Sequence, residues 1–202
     1  MKDILRQFLS QREKHSIVDT NRLSAAVLVP LTFKNGEYHI LFTKRTAMVK
    51  YHKGEISFPG GTYEEEDVTL LNTALRESAE EIGVRPEAVD VLGELDDILT
   101  ITSNFIVTPF VAAILQPRSL KLNPMEIEEI LEIPISVLLD KNCLHQATEN
   151  IDGGDITTYT YSYQGRLIWG ATAKILYQFI DIFTRVIGMS RASTSLLDEH
   201  QY

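Results

Sequence analysis

Apolar and polar positions along this chain repeat in two rhythms, one near three to four residues and one of two. Asp3–Glu13 follows the first, with Ile4, Phe8 and Leu9 on one side, and predicts an amphipathic helix. Ser24–Pro30 (SAAVLVP) reads as a buried strand. Lys34-Asn35-Gly36 is a turn signal, and Tyr38–Thr43 a second strand, so a hairpin is expected. Glu55–Phe58 is a short strand running into Pro59-Gly60-Gly61. Asp67–Ile82 returns to the helical rhythm and stops at Gly83. Val91–Leu99 and Phe105–Leu115 predict strands, and Glu126–Leu139 a short helix and a turn. Thr157–Tyr163 alternates as a strand does, Ile168–Ile187 is a long apolar helix, and Ser193-Thr194-Ser195 is expected as a loose tail. There is no internal repeat, linker or low-complexity segment, and no regular βαβ rhythm. The expectation is one mixed α/β domain over residues 1–202, with its core at about 22–180.

Composition narrows the class. A chain of 202 residues, 44% hydrophobic and 23% charged, has the material for one globular core. Its longest apolar stretches, such as Ile106–Leu115, fall short of the roughly 20 residues that span a bilayer. The N-terminal residues mix charge into their apolar positions and do not read as a secretory signal, and the final DEHQY carries no organelle address. A single cysteine, Cys143, excludes an internal disulfide and a cysteine-only metal cluster, and a reducing cytoplasm is the expected location. The net charge of −9 argues against nucleic-acid binding through the general field. A phosphorylated ligand would need local positive charge, or a metal.

That need focuses attention on Gly60–Val84, GGTYEEEDVTLLNTALRESAEEIGV. With Glu77 as the zero of angle on a helix, Glu81 lies about 40° to one side and Glu80 about 60° to the other. The three carboxylates share an edge, while Leu71, Leu75, Ser78, Ala79 and Ile82 gather on a packing face. Acids so arranged repel one another unless a hard divalent cation, Mg²⁺ or Mn²⁺, neutralises them. Arg76 could hold one carboxylate by a bidentate pair. A solvated helix face would explain Glu80-Glu81 alone. It does not explain the double glycine, Arg-Glu, Glu-Glu and closing glycine together.

This segment resembles the Nudix box, G-x5-E-x7-R-E-U-x-E-E-x-G-U with U aliphatic. Arg76-Glu77, Glu80-Glu81, Gly83 and Val84 match. Asp67 stands at the place of the first Glu, Ser78 at the first aliphatic position, and the spacing from Gly61 to Arg76 is one residue longer. The resemblance implies an α/β/α sandwich of the Nudix type with N- and C-terminal helical additions. It also implies a metal site of Glu77, Glu80 and Glu81, with Glu77, Arg76 and Glu80 serving catalysis.

Just upstream, Leu41–Gly61 (LFTKRTAMVKYHKGEISFPGG) gathers Lys44, Arg45, Lys50, His52 and Lys53 into a local positive surface. The stretch is similar to a signature of the coenzyme A pyrophosphatase branch of the Nudix enzymes. Leu41, Thr43, Arg45, His52, Gly54, Phe58, Pro59, Gly60 and Gly61 match it, while Phe42, Thr46 and Lys50 depart. VTPFVAAI and IWGATAKIL are similar to further stretches of that branch. The resemblance implies cleavage of coenzyme A or its derivatives to 3′,5′-ADP and 4′-phosphopantetheine. Lys44, Arg45, His52, Gly60 and Gly61 would then bind substrate. Asp96, Asp97, Glu128 and Glu129 join Glu77 as candidate bases.

Rival readings are a Nudix hydrolase of ADP-ribose, a dinucleoside polyphosphate or an oxidised nucleotide, and a non-catalytic nucleotide-sensing module. The partner expected is a small nucleotide, with neither nucleic acid nor membrane, and a homodimer is left open. His15, His39, His145 and His200 lack metal-ligand spacing. Trp169 and Tyr177 are expected in the core, and Tyr159, Tyr161 and Tyr163 on one strand face.

Overall fold

The computed structural model describes residues 1–48, 53–115, 117, 120–151 and 154–198, with side chains for all of these except 151 and 191–198. Along the chain run α1 (Lys2–Gln11), β1 (Leu23–Lys34), β2 (Glu37–Arg45), β3 (Ile56–Ser57), β4 (Gly60–Thr62) and α2 (Leu70–Ile82). There follow β5 (Val89–Glu94), β6 (Ile98–Leu99), β7 (Phe105–Ile114), β8 (Ile127–Pro134) and the single turn α3 (Ile135–Leu138). The chain continues through β9 (Leu144–Ile151), β10 (Gly154–Tyr163), β11 (Arg166–Ile168) and α4 (Gly170–Asp198).

The expected hairpin forms because Asn35 and Gly36 both adopt left-handed backbones, φ 53° and 85°, as a two-residue turn between twisted strands requires. The other edge of β1 pairs with β7 in parallel, from Leu23 opposite Phe105 to Leu31 opposite Ala113. The main sheet runs β3-β2-β1-β7-β5, with β4 also on β1, β6 on β7 and β8 on β2. A second antiparallel sheet runs β11-β10-β9.

Side chains alternate between the two faces of the main sheet. Ile40 and Phe42 join Leu5 and Leu9 of α1 and Phe179 and Val186 of α4 in the larger core. Leu28 and Leu41 pack with Ala74 and Ile82 of α2 in the smaller one. Helices therefore cover both faces, which is the expected α/β/α sandwich. No helix among the described residues is long and apolar enough to cross a membrane.

Several expectations give way. In Glu126–Leu139 the expected short helix is the single turn Ile135–Leu138, while the acidic stretch before it is strand, Ile127–Pro134, with Ile127, Leu131 and Ile133 buried and the glutamates between them less so. The expected strand Val91–Leu99 is two strands, β5 and β6. β9 was not expected, since LHQATENI has little apolar alternation, and its pairing with β10 supplies the missing support. Ser193-Thr194-Ser195 continue α4 instead of trailing from it. Trp169 is 53% exposed, and the half-exposed Tyr177 stacks on Tyr159 at 4.0 Å. Neither fills the core.

Candidate active site

The first residues of the acidic segment build a platform rather than the helix itself. Asp67 ends a short 3-10 turn, Glu65–Asp67, and α2 begins after Thr69, whose hydroxyl accepts from the Asn72 N–H at 3.2 Å. That cap satisfies one of the free amides of a helix start. Gly83 closes the helix in the left-handed conformation, φ 66°.

Asp67 is buried and accepts from Arg76 Nε at 2.7 Å, Arg76 Nη2 at 3.0 Å, the Thr73 hydroxyl at 2.9 Å and the Glu64 N–H at 3.0 Å. These donors, Arg76 first, hold its carboxyl well below the usual carboxylate range. The expected bidentate pair of Arg76 is therefore made with Asp67. The same guanidinium donates from Nη1 to Glu77 at 2.9 Å and from Nη2 to the Thr62 carbonyl at 3.1 Å, and lies 3.6 Å from Glu80. It ties α2 to the end of β4 and fixes Glu77.

Glu77 lies directly over Gly61: a Cβ added there would stand 2.4–2.6 Å from its carboxylate atoms. Burial raises the Glu77 pKa against the opposing pull of Arg76. Glu80 faces outward and is exposed. Glu81 departs from the expected open acidic edge, being only 2% exposed. It accepts from Arg45 Nη1 at 3.1 Å and from the Gly60 N–H at 3.3 Å. Burial nevertheless pushes its pKa up to about 8, with Arg45 and the Gly60 amide opposing and Glu77 and Glu126 adding to the rise. The packing face is also rotated from the one expected, since Thr73, Ala74, Ser78, Glu81 and Ile82 are its buried members. Ser78 fits there because its hydroxyl donates back to the Ala74 carbonyl at 2.6 Å.

The two glycines differ in purpose. Gly60 has φ 151°, and a Cβ on it would meet the Ala26 carbonyl oxygen of β1 at 2.3 Å, so the close approach of β4 to β1 requires it. Gly61 leaves room for Glu77.

Of the expected cationic set, Arg45 reaches the acidic helix, while Lys44 donates to Glu128 at 2.8 Å. His52 and Lys50 lie outside the described residues. The four loop and strand candidates for a base are engaged elsewhere. Asp96 pairs with Arg12 and accepts from the His15 N–H, and Asp97 accepts from Thr108 and the Ile17 N–H. Glu128 holds Lys44 and Glu129 holds Arg166.

Sequence reasoning missed Glu126. Its segment is fastened to α2 by the Asn123 N–H on the Glu81 carbonyl at 2.8 Å, and to the end of β2 by the Thr46 N–H on the Glu126 carbonyl at 2.8 Å. These bonds bring its charge to bear on both Glu77 and Glu81. The signal was the acidic run beginning at Glu126, whose pairing with β2 the sequence did not show.

Among the described residues no three acidic, histidine or cysteine side chains are already drawn together as a metal cage. Arg45 and Arg76 occupy the carboxylates instead. The donor set still suits a hard divalent cation, since it is all oxygen and includes a buried glutamate whose ionisation is opposed by two neighbouring acids.

A family model described as the NUDIX domain matches residues 22–142. The uncharacterized Nudix hydrolase NudL of Photorhabdus laumondii is 38% identical over 160 residues, 79% of this chain and 84% of that protein. NudL of Enterobacter sp. strain 638 is 34% identical over 174 residues, 86% of this chain and 90% of that protein. The crystal structure of a MutT/nudix family protein from Enterococcus faecalis superposes with a TM-score of 0.56 at 16% identity, covering 90% of this chain and 68% of its own, a likeness of fold. With the box-bearing helix inside the matched span, the chain belongs to the Nudix hydrolase family and is a pyrophosphohydrolase.

Proposed function

We propose that this pyrophosphohydrolase cleaves coenzyme A or a close derivative to 3′,5′-ADP and 4′-phosphopantetheine, with Mg²⁺ or Mn²⁺ as cofactor. The observation that carries the reading is the contact of Arg45 with Glu81 and, through Glu81, with Gly60. The cationic stretch that resembles the coenzyme A signature and the acidic helix thus meet at one point, where a polyanionic pyrophosphate is a natural guest.

Glu77, Glu80 and Glu81 would hold the cation, which supplies charge neutralisation of the pyrophosphate and a more acidic bound water. Arg76, locked by Asp67, orients Glu77. Arg45 and Lys44 bind the phosphates together with His52, and the backbone at Gly60 and Gly61 admits the substrate closely. Glu77 or Glu126 takes the proton of the attacking water as displacement proceeds in line. Glu126 is the stronger of the added candidates because its charge acts on Glu77 and Glu81, whereas Asp96, Asp97, Glu128 and Glu129 face partners away from them.

The test is product analysis with Mg²⁺ or Mn²⁺ against coenzyme A, ADP-ribose and dinucleoside polyphosphates. Release of 3′,5′-ADP at the highest kcat/KM supports the reading. Preferred cleavage of ADP-ribose or of a dinucleoside polyphosphate rejects it.

A further inference from the structure

The pairing of β8 with β2 is interrupted where the substrate stretch begins. Lys44 stands opposite Glu129 and Arg45 opposite Ile127, which leaves Glu128 as the extra residue of a β-bulge. Bulges re-aim side chains and recur beside active sites. Here the bulge sets two carboxylates beside one ammonium, and the structure divides them. Glu128 takes Lys44 Nζ at 2.8 Å. Both oxygens of Glu129 accept from Arg166 Nη2, at 2.9 and 3.0 Å. Arg166 comes from the other sheet, on β11, which lies against β3. It stands opposite Tyr163 across the Gln164-Gly165 turn.

We infer that Arg166 is a specificity-determining residue, which neutralises Glu129 and so keeps uncompensated negative charge away from Lys44 and Arg45, where an anionic nucleotide binds. Without Arg166 the cluster of Lys44, Glu128 and Glu129 becomes net negative, and Glu129 is left facing the ammonium that stands opposite it in register. The groups are about a third to a half exposed, so the repulsion is screened by salt. The inference rests on Lys44 and Arg45 binding substrate phosphate. Coenzyme A carries a 3′-phosphate in addition to its pyrophosphate, so it responds more strongly than ADP-ribose.

Steady-state kinetics at low ionic strength tests this. Arg166→Gln raises KM for coenzyme A roughly fivefold, the scale of one lost favourable charge, while kcat falls by less. The double variant Arg166→Gln/Glu129→Gln returns KM toward the parent value. Glu129→Gln alone, with Arg166 in place, lowers KM below the parent, and the Arg166→Gln effect shrinks at high salt. Melting temperatures close to the parent's establish that each variant is folded. An Arg166→Gln KM equal to the parent's, a double variant that does not recover, or an unchanged or raised KM in Glu129→Gln overturns the inference. If the parent cleaves ADP-ribose and not coenzyme A, the substrate assignment fails, and the same KM comparison on ADP-ribose still decides the role of Arg166.

Discussion

Asp67 and Arg76 form a two-pronged ion pair, Nε to Oδ1 at 2.7 Å and Nη2 to Oδ2 at 3.0 Å, with the carboxylate buried. The pair sits one step behind the chemistry, since Arg76 also holds Glu77. Asp67→Asn keeps the shape but leaves the guanidinium short of charge. We predict a loss of roughly 2–3 kcal/mol of stability, in line with breaking a partly buried pair, and at least about a tenfold fall in kcat as Glu77 loses its fixed orientation. Denaturant titration and initial rates check both. An Asp67→Asn protein with parental kcat would remove Arg76 from the positioning of Glu77.

The adjacent glycines should separate under mutation. In Gly61→Ala the atoms nearest the new methyl are those at the far end of the Glu77 side chain, which can swing aside. The fold should survive while metal-dependent turnover drops about a hundredfold or more. In Gly60→Ala the clash is with the β1 backbone, so the melting temperature itself should fall. Equal melting temperatures and equal rates for the two variants would contradict this division.

Glu81 gives a pH signature. Burial raises its pKa from 4.5 to about 8, so within that window the folded chain retains a proton that the unfolded chain has released. Stability of the metal-free protein from this group is therefore present at low pH and declines as pH rises from 4.5 to 8. A divalent cation binds the ionised form and displaces the proton, so the melting-temperature gain from Mn²⁺ should be larger at pH 8 than at pH 6. In Glu81→Gln that pH dependence should shrink to the part Glu77 supplies, the fold should persist, and nearly all turnover should be lost. A Mn²⁺ gain that is larger at pH 6 would count against Glu81 as a ligand.

Glu126 should be felt through the same balance. Its charge disfavours ionisation of Glu77 and Glu81, and its Oε1 accepts from Asn123 Nδ2 at 3.2 Å, a bond that glutamine can retain. Glu126→Gln should raise the melting temperature of the metal-free protein and weaken Mn²⁺ affinity by about tenfold. Calorimetric titration measures the second effect, and unchanged affinity would return Glu126 to a purely structural role.

What the sequence disclosed follows from local chemistry. The Asn35-Gly36 hairpin, the helix closed by Gly83 and the shared edge of Glu77 and Glu80 depend on neighbours within a few residues. Long-range packing decided the rest. Helical periodicity put Glu81 on the acidic edge, but could not show that β4 and Arg45 would bury it. Asp67, the residue standing where the box has its first Glu, serves as the counter-charge of Arg76. β9 and the strand in Glu126–Leu139 needed partners that only the folded chain supplies.

The parallel match of β1 with β7 has a consequence for biosynthesis. Phe110, Ala112 and Ile114 of β7 make up part of the floor on which Ala74 and Ile82 of α2 rest. A nascent chain that has already delivered every residue of the acidic helix still lacks that floor until Ile114 leaves the ribosome. Non-local pairing of this kind forms slowly, so the acidic helix is fully synthesised before the strand that seats it is available, and its docking on the sheet waits for residues that emerge from the ribosome later.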